Sequence, residues 1–494
     1  MMSMEISYKQ YVDPEVEMLI QKLNPPRVCI DNKSCPESTL VKVDSANKHG
    51  ILLEMVQVLT DLDLLISKSY VSSDGDWLMD VFHVTDQMGK KVTDENLMHY
   101  IVEKISANNR AAGEVERSMG RKLKPRHILM AEYAALEMTG TDRPGMMSEI
   151  SAVLAELGCH ITAAVAWTHK TRLACIIYVE DMPMGGPIID PCRVAHVQAQ
   201  VENVIEAHHF TGERRSVRLT VPTSSMTHTE RRLHQLMTAD KDYEGCCSCC
   251  EVDSDEDDIY GRIKYDGRQQ HLKGCDGTHV RIDNCKQRGY YMVTVRSRDR
   301  PKLLFDTVCA LTDMKYVVYH AAIRAKDSIG VQEYYVRHQD GCTLDTENDR
   351  RTFSQCLIAA TERRISYGLR LDVSTENRVG LLSHITRVFR ENGLSITRAE
   401  LGTSGERAIG TFYVKDVSGQ NVNVETLEMV RREIGATVLI VDKAFDSPSQ
   451  PSSSYISSSS GSLERPWPSL GNLLWSQLER FSGNFLGQTN KFIK

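Results

Sequence analysis

A chain of 494 residues with 41% apolar and 25% charged side chains has the length of roughly three domains and an ordinary globular composition. Its net charge of −7 argues against a broad nucleic-acid-binding face, and no apolar run approaches the ~18 residues of a transmembrane span. Fourteen cysteines could suit secretion, but Cys159, Cys175, Cys309 and Cys356 sit singly in apolar patterns, as core residues of a reduced intracellular protein do.

An N-terminal arm, residues 1–36, starts Met1-Met2-Ser3-Met4-Glu5-Ile6 without the basic and apolar regions of a signal peptide, so a cytoplasmic or nuclear location is expected. The arm leads to an alternating apolar run, Thr39-Leu40-Val41-Lys42-Val43, and then to Asn47-Lys48-His49-Gly50-Ile51-Leu52. The same turn returns as Asp142-Arg143-Pro144-Gly145-Met146-Met147, as Asp299-Arg300-Pro301-Lys302-Leu303-Leu304, and as Asn377-Arg378-Val379-Gly380-Leu381-Leu382. Each copy has Asp or Asn, a basic residue, a variable one, Gly (Lys in the third) and two apolar residues. Leu59, Leu154, Leu311 and Phe389 stand nine residues past Gly50, Gly145, Lys302 and Gly380; Val84, Val179, Val336 and Val414 stand thirty-four past. Four copies in register without gaps make this an internal repeat.

Each copy reads strand, helix, strand, hairpin, strand, helix, strand. In the second, 135–139 is a strand and 146–157 an amphipathic helix, with Asp142 read as its N-cap and Pro144 in its first turn. Residues 160–167 and 173–179 form a hairpin around Thr168-His169-Lys170-Thr171, and a helix over 192–207 and a strand over 216–221 complete the unit. The fold class is α+β: four βαββαβ ferredoxin-like modules, antiparallel sheets with two helices on one face, paired side by side. The modules are expected at 37–120, 127–222, 288–367 and 368–445. A linker over 223–287 carries an acidic block from Asp242 to Asp258 that is not expected to pack a core. Because Tyr367-Gly368-Leu369 leaves almost no linker, modules three and four are expected to pair, and one and two likewise. The tail, 446–494, is Ser-rich and ends in an amphipathic segment bearing Leu470, Leu474, Leu478 and Phe481.

The fourfold turn, the strand ending Tyr178-Val179-Glu180-Asp181 and the segment Thr229-Glu230-Arg231-Arg232-Leu233-His234-Gln235 resemble the plant ACT-domain-repeat (ACR) family, over roughly residues 1–445. The resemblance implies a non-catalytic regulatory protein whose modules bind a free amino acid at this turn, across a module–module interface. It makes Asn47, Gly50, Ile51, Asp142, Gly145, Met146, Asn377, Gly380 and Leu381 the candidate ligand-binding residues, with Ile51, Met146 and Leu381 as pocket walls. A helix N-terminus suits a carboxylate because its first N–H groups have no intrahelical partner. The plainer alternative is that each turn caps its helix and packs. In module three Lys302 replaces the Gly, which points to a structural turn there.

Asp86, Asp181 and Asp416, with His338 in module three, close the third strand of each copy and read as turn residues. Cys246-Cys247-Ser248-Cys249-Cys250 lacks the paired spacing of a structural zinc site, so no metal and no cofactor is expected. No P-loop, His-Glu-x-x-His, nucleophile elbow or dinucleotide fingerprint is present, so no enzyme is expected. The partners expected are a free amino acid and a protein still to be identified, with no nucleic acid and with homo-oligomer formation left open. A ligand-free interaction scaffold built of the same modules is the alternative.

Overall fold

The computed structural model describes residues 27–441, except 75–76, 108–132, 183–184, 208–212, 223–226, 245–276, 286–288, 327, 366–367, 419–421 and 436. The cysteine cluster at 246–250, most of the acidic block and the C-terminal amphipathic segment lie outside the described residues.

In chain order the first module comprises β1 (Arg27–Asp31), β2 (Thr39–Ala46), α1 (Ile51–Asp61), β3 (Leu65–Asp74), β4 (Trp77–Thr85) and α2 (Glu95–Ala107). The second has β5 (Ala134–Thr141), α3 (Met146–Glu156), β6 (Cys159–His169), β7 (Arg172–Asp181), α4 (Pro191–Glu206) and β8 (Ser216–Thr220), followed by α5 (Thr229–Ala239). The third runs through β9 (His279–Cys285), β10 (Tyr290–Arg298), α6 (Leu303–Asp313), β11 (Tyr316–Lys326), β12 (Ile329–His338) and α7 (Glu347–Glu362). The fourth has β13 (Leu369–Glu376), α8 (Leu381–Glu391), β14 (Leu394–Ser404), β15 (Arg407–Asp416), α9 (Val424–Ile434) and β16 (Thr437–Val441).

These form two eight-stranded antiparallel sheets, ordered β1-β2-β4-β3-β11-β12-β10-β9 and β16-β13-β15-β14-β6-β7-β5-β8. The first lies in a compact unit of residues 1–121 and 279–346, the second in a unit of 122–278 and 347–494. The expected pairing of neighbours in sequence is therefore corrected: module one pairs with three, and two with four. A strand edge joins the edge whose register and side chains fit, and a short connection does not enter that choice. At the seam of the second sheet Ala163, Ala164 and Ala166 meet Gly402, Leu401 and Ala399, and Thr168 and Thr403 each donate across it to the backbone, at 2.9 and 3.0 Å.

Both seams use one register. Tyr70 faces Ala322, and Val165 faces Glu400, each of the four standing twenty residues past the fourth position of its turn. The strand after the first helix of every module also carries a bulge at the same place, at Ser67, Thr162, Tyr319 and Thr397. In modules two and four the outermost strand follows the second helix, as βαββαβ requires. In modules one and three that place is filled from ahead of the module, by β1 and β9.

In the second unit, apolar faces of α3, α4, α8 and α9 share one core with the sheet, in which Leu136, Ile150, Ile385, Phe389 and Phe412 have no exposed surface. The other face of module two's sheet is covered by α5, whose Leu233, Leu236 and Met237 pack on Ala135, Val165, Trp167 and Ile176. Just past α5, Asp242 opens the acidic block, yet it is buried against Arg363 at 2.5 Å. That charge packs because a guanidinium with four further hydrogen-bonding contacts answers it.

Candidate functional site

All four turns have one backbone shape. Gly50, Gly145, Lys302 and Gly380 precede their helices in the left-handed region, with φ of 86, 85, 66 and 75°, and none receives a side-chain cap. The expected N-cap at Asp142 is corrected: the cap position is Gly145, and Asp142 and Pro144 lie in the turn ahead of it. Glycine is favoured here because a Cβ is strained at such a φ, so its recurrence has a cause that involves no ligand. The basic residue of the turn also has work inside the fold. Arg143 makes a bidentate pair with Glu149, at 3.0 and 2.5 Å, and Arg300 pairs with Asp306 at 2.7 Å, the acid in each case one turn into the helix.

In three of the turns the first residue is tied by its backbone to the following hairpin: Asp142, Asp299 and Asn377 donate their N–H to Thr171, Ser328 and Glu406 at 2.7–2.8 Å. Their side chains differ. Asn47 is engaged, donating to Ser73 Oγ at 3.0 Å. Asn377 Oδ1 is buried with no hydrogen-bond partner among the described residues. The Asp142 carboxylate accepts no hydrogen bond among the described residues, and burial pushes its pKa up to about 6 against the opposing charge of Lys415. Asp86 and Asp416 accept N–H groups of the loops that follow them, and His338 accepts from Asp340, the turn role expected of that position, whereas the Asp181 carboxylate accepts from Arg193 at 3.0 Å.

Within the second unit a cavity of about 20 Å³ opens at the Gly145 turn, lined by Asp142, Gly145 and Met146 from module two and by Thr386, Arg390 and Thr397 from module four. It has room for about one water molecule. Arg390 accounts for that tightness: a Cβ on Gly145 would lie 2.8 Å from Arg390 Cδ and 3.4 Å from its Cγ. Below the cavity, Ser151 and Thr386 share a 3.0 Å hydrogen bond between α3 and α8.

Of the nine candidate residues, the structure thus brings Asp142, Gly145 and Met146 together at a cavity. Gly380 faces Ala155 of module two, and Gly50 faces Thr312 of module three, at 3.8 and 3.9 Å from an added Cβ. Leu381 and Ile51 are buried at the first helical position, 5% and 4% exposed. Arg390 is not among the nine. It stands ten residues past Gly380, the place that Ala155 and Thr312 hold in their own modules. Only the identity of the facing module could have singled it out.

Family models match at residues 34–112 (ACR family N-terminal ACT domain), 132–183 (ACT domain) and 370–442 (ACT domain). ACT domain-containing protein ACR1 of Arabidopsis thaliana is 50% identical over 489 residues, 97% of this chain and 98% of that protein. The chain belongs to the ACR family of plant ACT-domain proteins. ACR3 of the same plant is 45% identical over 433 residues, covering 88% of this ACR chain and 90% of its own. A bifunctional uridylyltransferase/uridylyl-removing enzyme of Azospirillum brasilense shares 81 residues at 40% identity, 16% of this chain and 9% of that enzyme. Among solved structures, a putative glycine cleavage system transcriptional repressor aligns over 43% of this chain and 83% of its own, at 13% identity and a TM-score of 0.17. No helix among the described residues is long and apolar enough to cross a membrane.

Proposed function

We propose that this ACR protein is a non-catalytic sensor that binds a free amino acid between modules two and four, at the Gly145 turn. The observation that supports this is the junction of an unbonded carboxylate, Asp142, with the start of α3 in a cavity that both modules line. An α-ammonium suits Asp142, and an α-carboxylate suits the N–H groups of Met147 and Ser148, which by position have no intrahelical acceptor. A ligand touching both modules favours one arrangement of the pair by as much as its affinities for the alternatives differ. The module ranges expected at 37–120, 127–222, 288–367 and 368–445 belong to the same proposal, as does action in the cytoplasm or nucleus.

The cavity's small volume and the glycine's left-handed φ favour a second reading, a scaffold whose turns only shape the fold. A thermal-shift and calorimetry panel of the proteinogenic amino acids on the full chain separates the two. A ligand at 100 times its dissociation constant stabilises the chain by about 2.7 kcal/mol, and Asp142→Asn removes that gain. No shift with any amino acid leaves the scaffold.

A further inference from the structure

Around the Gly145 turn most charges are already matched. Arg143 is held by Glu149, and Arg398 donates to Glu400 at 2.6 Å. Three charges remain beside the cavity or acting on it: Asp142, Lys415 and Arg390. Asp142 answers one cation, so the site keeps an excess of positive charge. Arg390 is exposed, and its guanidinium makes no hydrogen bond or ion pair among the described residues. Its aliphatic stem is what covers Gly145.

On the amino-acid reading above, on which this rests, we infer that the site takes a dicarboxylic amino acid and that Arg390 selects it by pairing with the side-chain carboxylate. A zwitterion with its ammonium on Asp142 and its α-carboxylate at the start of α3 leaves the Arg390 guanidinium for the ligand's side chain. A carboxylate there gains a charge-assisted pair with the guanidinium; a neutral amide of the same shape does not. Admission of such a ligand requires the Arg390 stem to swing off Gly145, which breaks no polar contact. The equivalent turn of module four lacks this device, since the residue facing Gly380 is Ala155. The two related turns are therefore unequal, and the acidic ligand belongs at Gly145.

The test is calorimetry on the full chain with L-glutamate, L-aspartate, L-glutamine and L-asparagine, for the wild type, Arg390→Gln and Arg390→Lys. Because Arg390 is exposed, both variants are expected to keep the wild-type circular dichroism and melting temperature. Expected is binding of one of the acids at least tenfold tighter than its amide. That preference falls to near unity in Arg390→Gln and is partly kept in Arg390→Lys. A neutral amino acid binding the wild type as tightly as the acids, or an unchanged preference in Arg390→Gln, overturns the inference and leaves the sensor standing. Absence of binding by all four overturns the inference, and the sensor falls with it only when the full panel of proteinogenic amino acids is silent as well.

Discussion

Asp80 in β4 is 1% exposed, and neither carboxylate oxygen has a hydrogen-bond partner among the described residues. On the same sheet face, Ser45 and Ser69 have no exposed surface and their hydroxyls too lack partners. Burial raises the Asp80 pKa to about 8, well above the ~3.9 of an unfolded aspartate. The folded chain therefore holds a proton that the unfolded chain releases above about pH 4, so this stabilisation is complete in acid and is lost as pH rises through about 8. Urea unfolding at pH 5 and pH 8 should show a lower midpoint at pH 8, and Asp80→Asn should shrink that difference. At this scale the sequence was partly legible. The turn's Asp or Asn, its Gly and the closing Asp stood out because they repeat. Asp80 did not, because its equivalents, Cys175, Gln332 and Gly410, share no chemistry with it. Lys302 shows the reverse: its φ of 66° keeps the turn's shape without glycine, so the fold tolerates a strain of roughly 1 kcal/mol there.

Among the elements, α5 was least visible. Its segment, 229–239, lies in a stretch whose composition is that of a linker, and its apolar residues are few. What fixes it is the bare face of module two's sheet and the charges at its two ends. Arg364 pairs with Glu230 at 2.9 Å and lies over the ring of Trp167, while Arg363 is buried between Asp242 and His234. Asp242 has a second cationic neighbour besides Arg363: its carboxylate accepts from His169 Nδ1 at 2.9 Å, and Glu362 lies 3.7 Å from the other ring nitrogen. Burial lowers the His169 pKa, but the two carboxylates outweigh it and the net shift is upward. The imidazolium's contribution is therefore full below about 6.5 and fades as pH rises through the raised value. Arg363→Met leaves Asp242 buried without its main partner and should cost about 3–5 kcal/mol in urea unfolding. Adding Asp242→Leu to that variant should recover much of the loss, because the buried charge is removed as well.

For the whole molecule, the repeat and the α+β class were readable because four copies hold one spacing. The partner of each module was not, because strand-edge matching spans more than two hundred residues and leaves no periodic trace. Ala166 and Ala399 face each other across the β6–β14 seam on the core side of the sheet. With both changed to cysteine, mild oxidation should give an intrachain disulfide joining modules two and four, found by peptide mapping after digestion. Cross-linking confined to pairs between separate chains would count against this seam. The same distance hides the role of Arg390 from the sequence: its significance depends on which turn it covers, and that turn belongs to a module placed far ahead of it.

The interleaving of the sheets also sets a timetable for synthesis. When β3 leaves the ribosome its partner β11 is still about 240 residues away, which at ~5–20 residues per second is a wait of roughly 12–48 s. During that interval β6 emerges with an edge of the same register, and its own partner β14 is also unmade. Two unfinished edges of matching shape then coexist on one nascent chain, each a template for strand addition. The side chains that tell one seam from the other, the small residues of β6 and β14 and the threonines that donate across them, therefore act during birth of the chain as well as in its finished state.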